Sequence, residues 1–338
     1  MIYTVTFNPS VDCILHIGDV KFGGLNRASK EEFFFSGKGI NVSTVLHRLG
    51  AATSAITFVG GFTGSETERV LSPDVPLDVI RLAEGCTRIN VKLKAPDGSE
   101  TEINAPGAPI GEDGMRKLYA RLSVLGCGDT LVLSGSVPSD VGTNVYSEIF
   151  ASLEGRGVRF CADAAGALLR GALSRGLFVI KPNVAELEET LGRSINGEAE
   201  ICRAARELQR MGSEYVLVTA GADGAYLFAP EGRAYHASVP SGEVIATIGA
   251  GDSTLGGFLG GFDSGLGEAE SLRLAAACGT DGIMTALVRT KSGAFSIEDA
   301  VPLEALTKEN VEEYLIRTDD MLDLPKIEIE NEHIFFGL

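Results

Sequence analysis

The stretch Thr247-Ile248-Gly249-Ala250-Gly251-Asp252-Ser253 is the strongest indication of how this chain folds. The β-branched run over 244–248 predicts a strand, Gly-Ala-Gly predicts a turn, and 253–262 predicts a helix. Glycines allow the backbone to approach a ligand closely, and free amides at a helix start attract anions. Asp252, beside such an anion hole, could accept a proton from a hydroxyl that attacks a phosphoryl group. The alternative is an ordinary acidic residue in the first turn of a helix.

The same alternation of strand and helix runs along most of the chain. Apolar segments predict strands at 3–7, 54–59, 130–133, 159–163, 178–182 and 215–219. Helical patterns lie between them, at 40–49, 115–122, 144–156, 184–191 and 199–211. This order predicts an α/β fold with a parallel sheet covered by helices on both faces. Ligands of such sheets bind beyond the carboxyl ends of the strands, where nearly every motif below falls.

Two segments depart from this pattern and predict a small second sheet. Residues 11–36 read as extended, and residues 86–104 form a predicted hairpin around Pro96-Asp97-Gly98. On the hairpin, the alternating residues Arg88, Asn90 and Lys92 are polar, which fits a face turned toward a ligand cleft. A small sheet standing off the main domain would expose its edges and an apolar face. Pairing with a second copy would cover both, so a homodimer through this lid is expected.

Composition limits the classes of partner. The chain has 338 residues, of which 44% are hydrophobic, enough for one large α/β domain or two smaller ones. Its net charge of -17 argues against binding to nucleic acid or to an anionic membrane surface. The six cysteines are scattered without a C-x-x-C motif, which indicates reduced thiols. With no signal-peptide pattern and no apolar run of ~20 residues, a soluble cytoplasmic protein is expected.

Several predicted strand ends carry polar motifs that suit a phosphorylated or hydroxylated ligand. Asn8-Pro9-Ser10-Val11-Asp12 offers a carboxylate, and Ser134-Gly135-Ser136 offers two hydroxyls. Ser36-Gly37-Lys38-Gly39-Ile40-Asn41 places a lysine at a helix start but lacks the spacing of a nucleotide P-loop. Each of these segments alone is also compatible with an ordinary polar turn.

Two later motifs indicate a nucleotide and its metal ion. In Lys181-Pro182-Asn183-Val184-Ala185-Glu186, the side chains of Asn183 and Glu186 are oxygen ligands that suit Mg²⁺, usually through water. The same pair is close to a helix capping box, and both readings can hold together. The connection over 219–225 contains two glycines and could cover a phosphate, although many hairpins look alike.

Taken in order, seven motifs resemble those of the ribokinase-like carbohydrate kinases over about residues 1–300: N-P-S-x-D, S-G-K-G-I-N, T-R-I-N-V-K, S-G-S-V-P, K-P-N-x-x-E, T-A-G-A-D-G and G-A-G-D-S. The resemblance is greatest to the branch that phosphorylates sugar phosphates. It implies a ribokinase-like fold, in which a Rossmann-like, mostly parallel sheet flanked by helices carries a small β-sheet lid. The kinase domain would span 1–302, with the lid strands inserted at about 11–36 and 86–104. Residues 303–338 would form a C-terminal extension to which no role is assigned.

The resemblance also implies roles for individual residues. Asp252 would be the catalytic base, and the amides of Gly249, Ala250 and Gly251 would form the anion hole. ATP and Mg²⁺ would be the cofactors, with Asn183 and Glu186 organising the metal ion through water. The other nucleotide-side positions would be Lys181, Thr219, Gly221 and Gly224. The sugar-contacting positions would be Asp12, Gly37, Gly39 and Asn41.

An acceptor that already carries a phosphate needs a cationic anchor. Arg88 is the strongest candidate, followed by Lys38 and by Arg27, which could reach a neighbouring subunit. Asn90 and Ser136 could add polar contacts. The resemblance of the lid hairpin to members of this family implies fructose 1-phosphate as acceptor, with fructose 1,6-bisphosphate as product, whereas tagatose 6-phosphate and fructose 6-phosphate remain alternatives. Two rival readings are a non-catalytic sugar-phosphate-binding regulator and a kinase for a neutral sugar or nucleoside, which would leave Lys38 and Arg88 unpaired.

Overall fold

The computed structural model of the protein describes residues 1–18, 20–238 and 249–281. Its strands are β1 (Ile2–Thr6), β2 (Ser10–His16), β3 (Lys30–Ser36), β4 (Thr53–Val59), β5 (Leu77–Arg81), β6 (Arg88–Lys94), β7 (Glu100–Ile103), β8 (Thr130–Ser134), β9 (Arg159–Asp163), β10 (Leu177–Ile180), β11 (Ser213–Thr219), β12 (Ala225–Phe228) and β13 (Ala234–Ala237). Its helices are α1 (Lys38–Arg48), α2 (Gly61–Leu71), α3 (Gly111–Leu122), α4 (Val145–Ser152), α5 (Gly166–Leu173), α6 (Val184–Leu191), α7 (Glu198–Met211), α8 (Ala250–Asp263) and α9 (Glu268–Asp281). The strand predicted at 244–248 and the extension at 303–338 lie outside the described residues.

The larger sheet forms the body of the molecule. Its nine strands run in the order β13-β12-β11-β10-β9-β8-β1-β4-β5. In this order, every pair of neighbours from β11 across to β5 is parallel, while β12 and β13 add an antiparallel edge. The prediction of an α/β fold with a mostly parallel sheet is therefore confirmed.

Helices cover both faces of this sheet, as near-continuous apolar strands require. Along β8, Leu131 and Leu133 join the core on one face while Val132 joins the core on the other. The first core receives side chains from α3 to α7, and the second receives them from α1, α8 and α9. Because successive side chains of a strand point to opposite faces, one run of apolar residues fills both cores.

A four-stranded sheet, which we call the lid, has the order β3-β2-β6-β7. Its hairpin pairs Val91 with Ile103 and Lys94 with Glu100, as the alternation in the sequence predicts. The lid connects to the main sheet by four segments, since β1 leads into β2, β3 into α1, β5 into β6, and β7 into α3. The predicted small β-sheet standing off the main domain is thus confirmed.

The carboxyl ends of β1, β8 and β9 lie side by side. The register pairs Thr6 with Ser134, and Ser134 with Asp163. The lid strands follow directly after β1, so that the lid and these strand ends enclose a common space. None of the described helices is both long enough and apolar enough to cross a membrane.

Candidate active site

A cavity of about 500 Å³ lies between the inner face of the lid and the strand ends. It collects most of the positions that the sequence indicates. From those, its lining includes Asp12, Gly37, Lys38, Asn41, Arg88, Asn90, Ser136, Glu186, Gly249 and Asp252. Because these residues come from distant parts of the chain, the fold itself assembles a single site.

Asp252 lies in the first turn of α8 and is 7% exposed. The side-chain amide of Asn41 donates a hydrogen bond of 2.7 Å to its Oδ2. Burial and the negative charge of Asp163 raise the pKa of Asp252 to about 7, against the opposing effect of Lys38 and Lys181. A carboxyl with a pKa near neutrality can both accept and release a proton under physiological conditions, which suits a general base.

The start of α8 presents its first backbone amides beside this carboxylate. Gly249 is the residue that caps the helix, and its φ of 79° is a left-handed value that glycine adopts without strain. Ser253 is the first residue whose amide bonds back, to the carbonyl of Gly249 at 2.8 Å. The amides before it have no partner within the helix, and they carry the positive end of its dipole. A Cβ on Gly251 would lie only 3.2 Å from Lys181 Nζ, so the backbone approaches that ammonium closely.

Asp163, at the end of β9, was not anticipated from the sequence. It is fully buried, and its Oδ1 lies 3.1 Å from Lys38 Nζ and 3.4 Å from Lys181 Nζ. Burial acts to raise the pKa of Asp163, but the two lysines together lower it below its usual value. Its Oδ2 has no hydrogen-bond partner among the described residues. The sequence did contain a signal for Asp163. It is an acidic residue at the end of a predicted buried strand, and the ends of the other predicted strands carry candidate site residues.

Lys38 lines the cavity but is not a free cation. Its Nζ donates to Asp163 Oδ1 and, at 2.9 Å, to Glu186 Oε1. Burial acts to lower the pKa of Lys38, yet Asp163, Glu186 and Asp252 raise it well above its usual value. A neutral acceptor would therefore not leave Lys38 unpaired, because carboxylates already neutralise it. The contact of Lys38 with the acceptor phosphate stays a prediction, and Arg88 in the lid is the cation that a neutral acceptor would leave without a partner.

Asn183 and Glu186 form a complete capping box at the start of α6. Asn183 Oδ1 accepts from the amide of Glu186 at 2.8 Å, and Glu186 Oε2 accepts from the amide of Asn183 at 2.9 Å. The described residues contain no cluster of three or more His, Cys, Asp or Glu side chains suited to hold a metal ion. The capping reading of this motif is confirmed, and only Glu186 reaches the cavity lining. Its carboxylate is the oxygen group of this motif that could hold a cation through the water shell of the ion.

Asp12 projects from the lid strand β2 into the cavity and is 5% exposed. Its Oδ1 accepts from Asn90 Nδ2 at 2.8 Å and from Ser10 Oγ at 3.0 Å, and its Oδ2 accepts from Ser36 Oγ at 3.1 Å. These bonds fix the carboxylate across three lid strands. Ser36, which replaces a glycine common in the resembling kinases, ends β3 and serves as a donor here, so the substitution introduces no strain.

Arg88 lines the same cavity from strand β6. Its side chain makes one long hydrogen bond of 3.4 Å, from Nη1 to the carbonyl of Ala105, and its Nε has no partner among the described residues. Burial lowers the pKa of Arg88, partly offset by Asp12. A buried guanidinium N–H without a partner is costly unless a ligand supplies an acceptor, which favours an anion at this position.

Other residues singled out in the sequence lie away from the cavity. Gly39, in the first turn of α1, packs closely against β1, where a Cβ would lie 2.8 Å from Thr6 Oγ1; its contact with a sugar stays a prediction. Arg27 lies in the exposed loop between β2 and β3. Lys181 lies beneath the start of α8. The positions at the end of β11 and in the turn after it do not appear in the cavity lining; these are Thr219, Gly221 and Gly224.

Comparison with known proteins identifies the family to which the chain belongs. The model of the pfkB family carbohydrate kinases matches residues 6–296. A 1-phosphofructokinase of Bacillus subtilis is 40% identical over 280 residues, covering 83% of this chain and 91% of the relative. A D-tagatose-1-phosphate kinase of Bacillus licheniformis is 33% identical over 282 residues, covering 83% and 91%.

Among solved structures, Escherichia coli phosphofructokinase-2 in complex with substrates and products superimposes with a TM-score of 0.79. It is 27% identical, covering 94% of this chain and 99% of that one. This structural agreement extends over both the main sheet and the chain that forms the lid. With the family model matching most of the sequence, the chain belongs to the pfkB family of carbohydrate kinases.

Proposed function

We propose that this kinase transfers the terminal phosphoryl group of ATP to fructose 1-phosphate and so forms fructose 1,6-bisphosphate. The observation that carries the proposal is the Arg88 guanidinium, which faces the same cavity as Asp252 with its Nε unpartnered. An anchor for a phosphate already present and a base for a hydroxyl are thereby combined in one site. The name of the B. subtilis relative supports the choice of sugar phosphate.

In this mechanism Asp252 accepts the proton of the acceptor hydroxyl. For fructose 1-phosphate that hydroxyl is on C6, because C1 carries the phosphate. As the oxygen attacks, its bond to the terminal phosphorus forms, the bond to the leaving ADP oxygen breaks, and the proton passes to the carboxylate. Because Asn41 donates its hydrogen bond to Oδ2 of Asp252, Oδ1 is the oxygen that would accept the proton of the hydroxyl. The unpaired amides at Gly249, Ala250 and Gly251 face the charge that develops on the transferred group.

Asp12 would hold the sugar. Its carboxylate already accepts three hydrogen bonds, and an ionised carboxylate has about four acceptor positions. One further donor, a sugar hydroxyl, would complete the set without breaking any lid contact. Ser136, Gly37 and Asn90 line the same side of the cavity and would surround the sugar.

Mg²⁺ would be held on the opposite side of the cavity. Glu186 and Asn183, with the unpartnered Oδ2 of Asp163, would bind its water ligands rather than the ion directly. When bound, the ion would neutralise charge on the phosphates of ATP. Lys38, between Asp163 and Glu186, would act beside it as a fixed positive charge. Nucleotide contacts at Lys181, Thr219, Gly221 and Gly224 remain part of the proposal on the strength of the motif resemblance.

We also propose a homodimer that forms through the outer face of the lid. Phe33, Ile89 and Ile103 lie on the face opposite the polar residues of β6 and are 52%, 40% and 59% exposed. A second copy of this apolar face is the partner that would cover these side chains. In such a dimer Arg27 could approach the neighbouring site. The free thiols of Cys13, Cys86, Cys127, Cys161 and Cys202 support a reducing compartment, the cytoplasm.

A second candidate acceptor is tagatose 1-phosphate, which the B. licheniformis relative favours. Fructose and tagatose differ at one stereocentre, a difference that a hydroxyl-binding site discriminates only when a specific donor or acceptor is left unpaired.

The deciding experiment is a panel assay with ATP and Mg²⁺. Its acceptors are fructose 1-phosphate, tagatose 1-phosphate, tagatose 6-phosphate, fructose 6-phosphate and ribose. We expect the highest kcat/KM for fructose 1-phosphate and the lowest for ribose, which brings no phosphate to Arg88. Equal turnover of ribose would contradict the proposal, as would binding of the sugar phosphate with no turnover of any acceptor, which the non-catalytic regulator predicts.

A further inference from the structure

Lys92 occupies a position on the lid that the proposed reaction does not yet use. It lies on β6, on the same face as Arg88 and Asn90, and its side chain lines the cavity with 15% exposure. Arg88 and Lys92 are separated along the strand by about 13 Å at their Cα atoms. Their long, flexible side chains can converge above Asn90, because both belong to the face that is turned toward the main sheet.

The ammonium of Lys92 is paired with a carboxylate that can be released easily. Its Nζ lies 2.8 Å from Glu102 Oε1, and this bond is the first of the interactions that lower the pKa of Glu102. Glu102 belongs to β7, an edge strand of the lid, and its side chain is 46% exposed. Turning this side chain out to solvent costs little, since an ion pair with a solvent-exposed partner contributes little to stability.

Charge on the acceptor side of the cavity is otherwise unfavourable to a phosphate. Lys38 is neutralised by Asp163 and Glu186, and Asp12 lies near Arg88. Arg88 alone would have to balance a phosphate of nearly two negative charges. Besides Lys38 and Arg88, Lys92 is the remaining cation among the described residues that line the cavity. A second anchor is therefore available without a movement of the backbone.

We propose that Lys92 is a second anchor for the acceptor phosphate and that its ammonium exchanges Glu102 for that phosphate on binding. This inference rests on the proposed function, because it assigns the recognition of the same sugar phosphate. Glu102 leaves because its carboxylate and the phosphate carry like charge and compete for one cation. With a neutral sugar the Lys92–Glu102 pair stays closed, so the pair favours phosphorylated acceptors over neutral ones.

The experiment measures the Kd of fructose 1-phosphate and of inorganic phosphate by calorimetry on the full chain without ATP, together with kcat and KM. Lys92→Met should raise Kd and KM by about tenfold or more, because a charge-assisted hydrogen bond is lost, and leave kcat nearly unchanged. Glu102→Gln should lower Kd by roughly threefold, since it removes the competing charge. In the Lys92→Met background, Glu102→Gln should have no further effect.

The next ion pair on the same hairpin provides a matched control. Lys94 and Glu100 face each other across β6 and β7, with Nζ 3.5 Å from Oε1, but they do not appear in the cavity lining. Lys94→Met and Glu100→Gln remove the same charges from the same sheet. Both should leave Kd within about twofold of the wild-type value, because they act only on an exposed pair.

Two results would overturn the inference while the proposed function stands. In the first, the protein phosphorylates fructose 1-phosphate but Lys92→Met does not change the Kd of the sugar phosphate. In the second, Glu102→Gln raises that Kd. If the wild type phosphorylates no hexose phosphate yet binds inorganic phosphate in a Lys92-dependent way, the anchor stands and the proposed function falls. Failure of the wild type to bind either probe overturns both.

Discussion

At the scale of single residues, the raised pKa of Asp252, the proposed catalytic base, is due to buried neighbours rather than to exposed ones. Asp252, Asp163, Lys38 and Lys181 form a compact group of two acids and two bases beneath the start of α8. The lysines lie closer to Asp163, so Asp163 carries the paired charge and Asp252 retains the high pKa. Two carboxyl groups of one cavity are thereby separated into a permanent anion and a proton acceptor.

We predict that kcat/KM depends on the ionisation of Asp252. Because the base must be deprotonated and its pKa is raised to about 7, activity should fall tenfold per pH unit below that value and level off above it. Asp252→Asn keeps the bond from Asn41 and should lower kcat by ~10²–10⁴-fold at every pH. The measurement is a kcat/KM profile from pH 5.5 to 9; a flat profile would contradict the assignment.

Much of this site could be predicted from residue types at strand ends. Asp252, Asn41 and Arg88 were identified because their motifs follow strands or lie on the lid, and the fold brings all three to one cavity. The pairing of Lys38 could not be predicted, since its partners Asp163 and Glu186 lie 125 and 148 residues away in the sequence. A linear motif shows that a cation is present but not which anions surround it.

At the scale of elements, α8 carries Asp252 and packs against α1, which carries Asn41. The two helices approach each other closely at Gly256, where a Cβ would lie 2.8 Å from Val45 Cβ and 3.0 Å from the carbonyl oxygen of Val42. The glycine therefore sets the distance between the two helices, and through them the bond between Asn41 and Asp252.

We predict that Gly256→Ala destabilises the protein despite the higher helix propensity of alanine. The clash with α1 should lower the free energy of unfolding by about 1–3 kcal/mol, whereas propensity alone would raise it by about 1 kcal/mol. Thermal unfolding shows whether the substitution lowers or raises the free energy of unfolding. Gly126→Ala is the control, because a Cβ there meets nothing within 4 Å. A Gly256→Ala protein as stable as that control would show that the helices separate freely.

Elements with a regular apolar pattern were predicted, whereas those held by tertiary contacts were not. Helix α2 was missed because it begins with Gly-Phe-Thr-Gly and buries Thr63, Gly64 and Thr67 instead of an apolar stripe. Helix α5 begins at a glycine and has only 8 residues, so its helical signal is short. In both, hydrogen bonds to distant segments, such as Thr63 Oγ1 to the carbonyl of Thr87, supply what local propensity does not.

At the scale of the whole molecule, the two faces of the lid differ in polarity, and the outer face is the surface through which we propose that the protein dimerises. The inner face is polar and turned toward the cavity, while the outer face presents apolar side chains and the edge strands β3 and β7. Contiguous exposed apolar surface on a sheet with free edges is typical of a subunit interface.

We predict that wild-type protein sediments as a dimer and that Phe33→Glu converts it to a monomer, because a buried unpaired charge would disrupt the interface. Val124→Glu is the control: Val124 is 73% exposed but follows α3, away from the lid, and the substitution should leave the dimer intact. Analytical ultracentrifugation measures both. A wild-type monomer, or a Phe33→Glu dimer, would refute the lid as the interface.

The parallel pairing of β2 with β6 also has a consequence for the order of folding. Asp12 and Asn90 are 78 residues apart, and the intervening chain must first contribute α1, β4, α2 and β5 to the main domain. Closing so long a loop is favourable only after that intervening chain is ordered. During synthesis the hairpin of β2 and β3 therefore keeps the β2 edge unpaired until β6, which ends at Lys94, has been made. An unpaired strand edge is a template for pairing with another chain, so we expect the nascent chain to be most susceptible to aggregation in that interval.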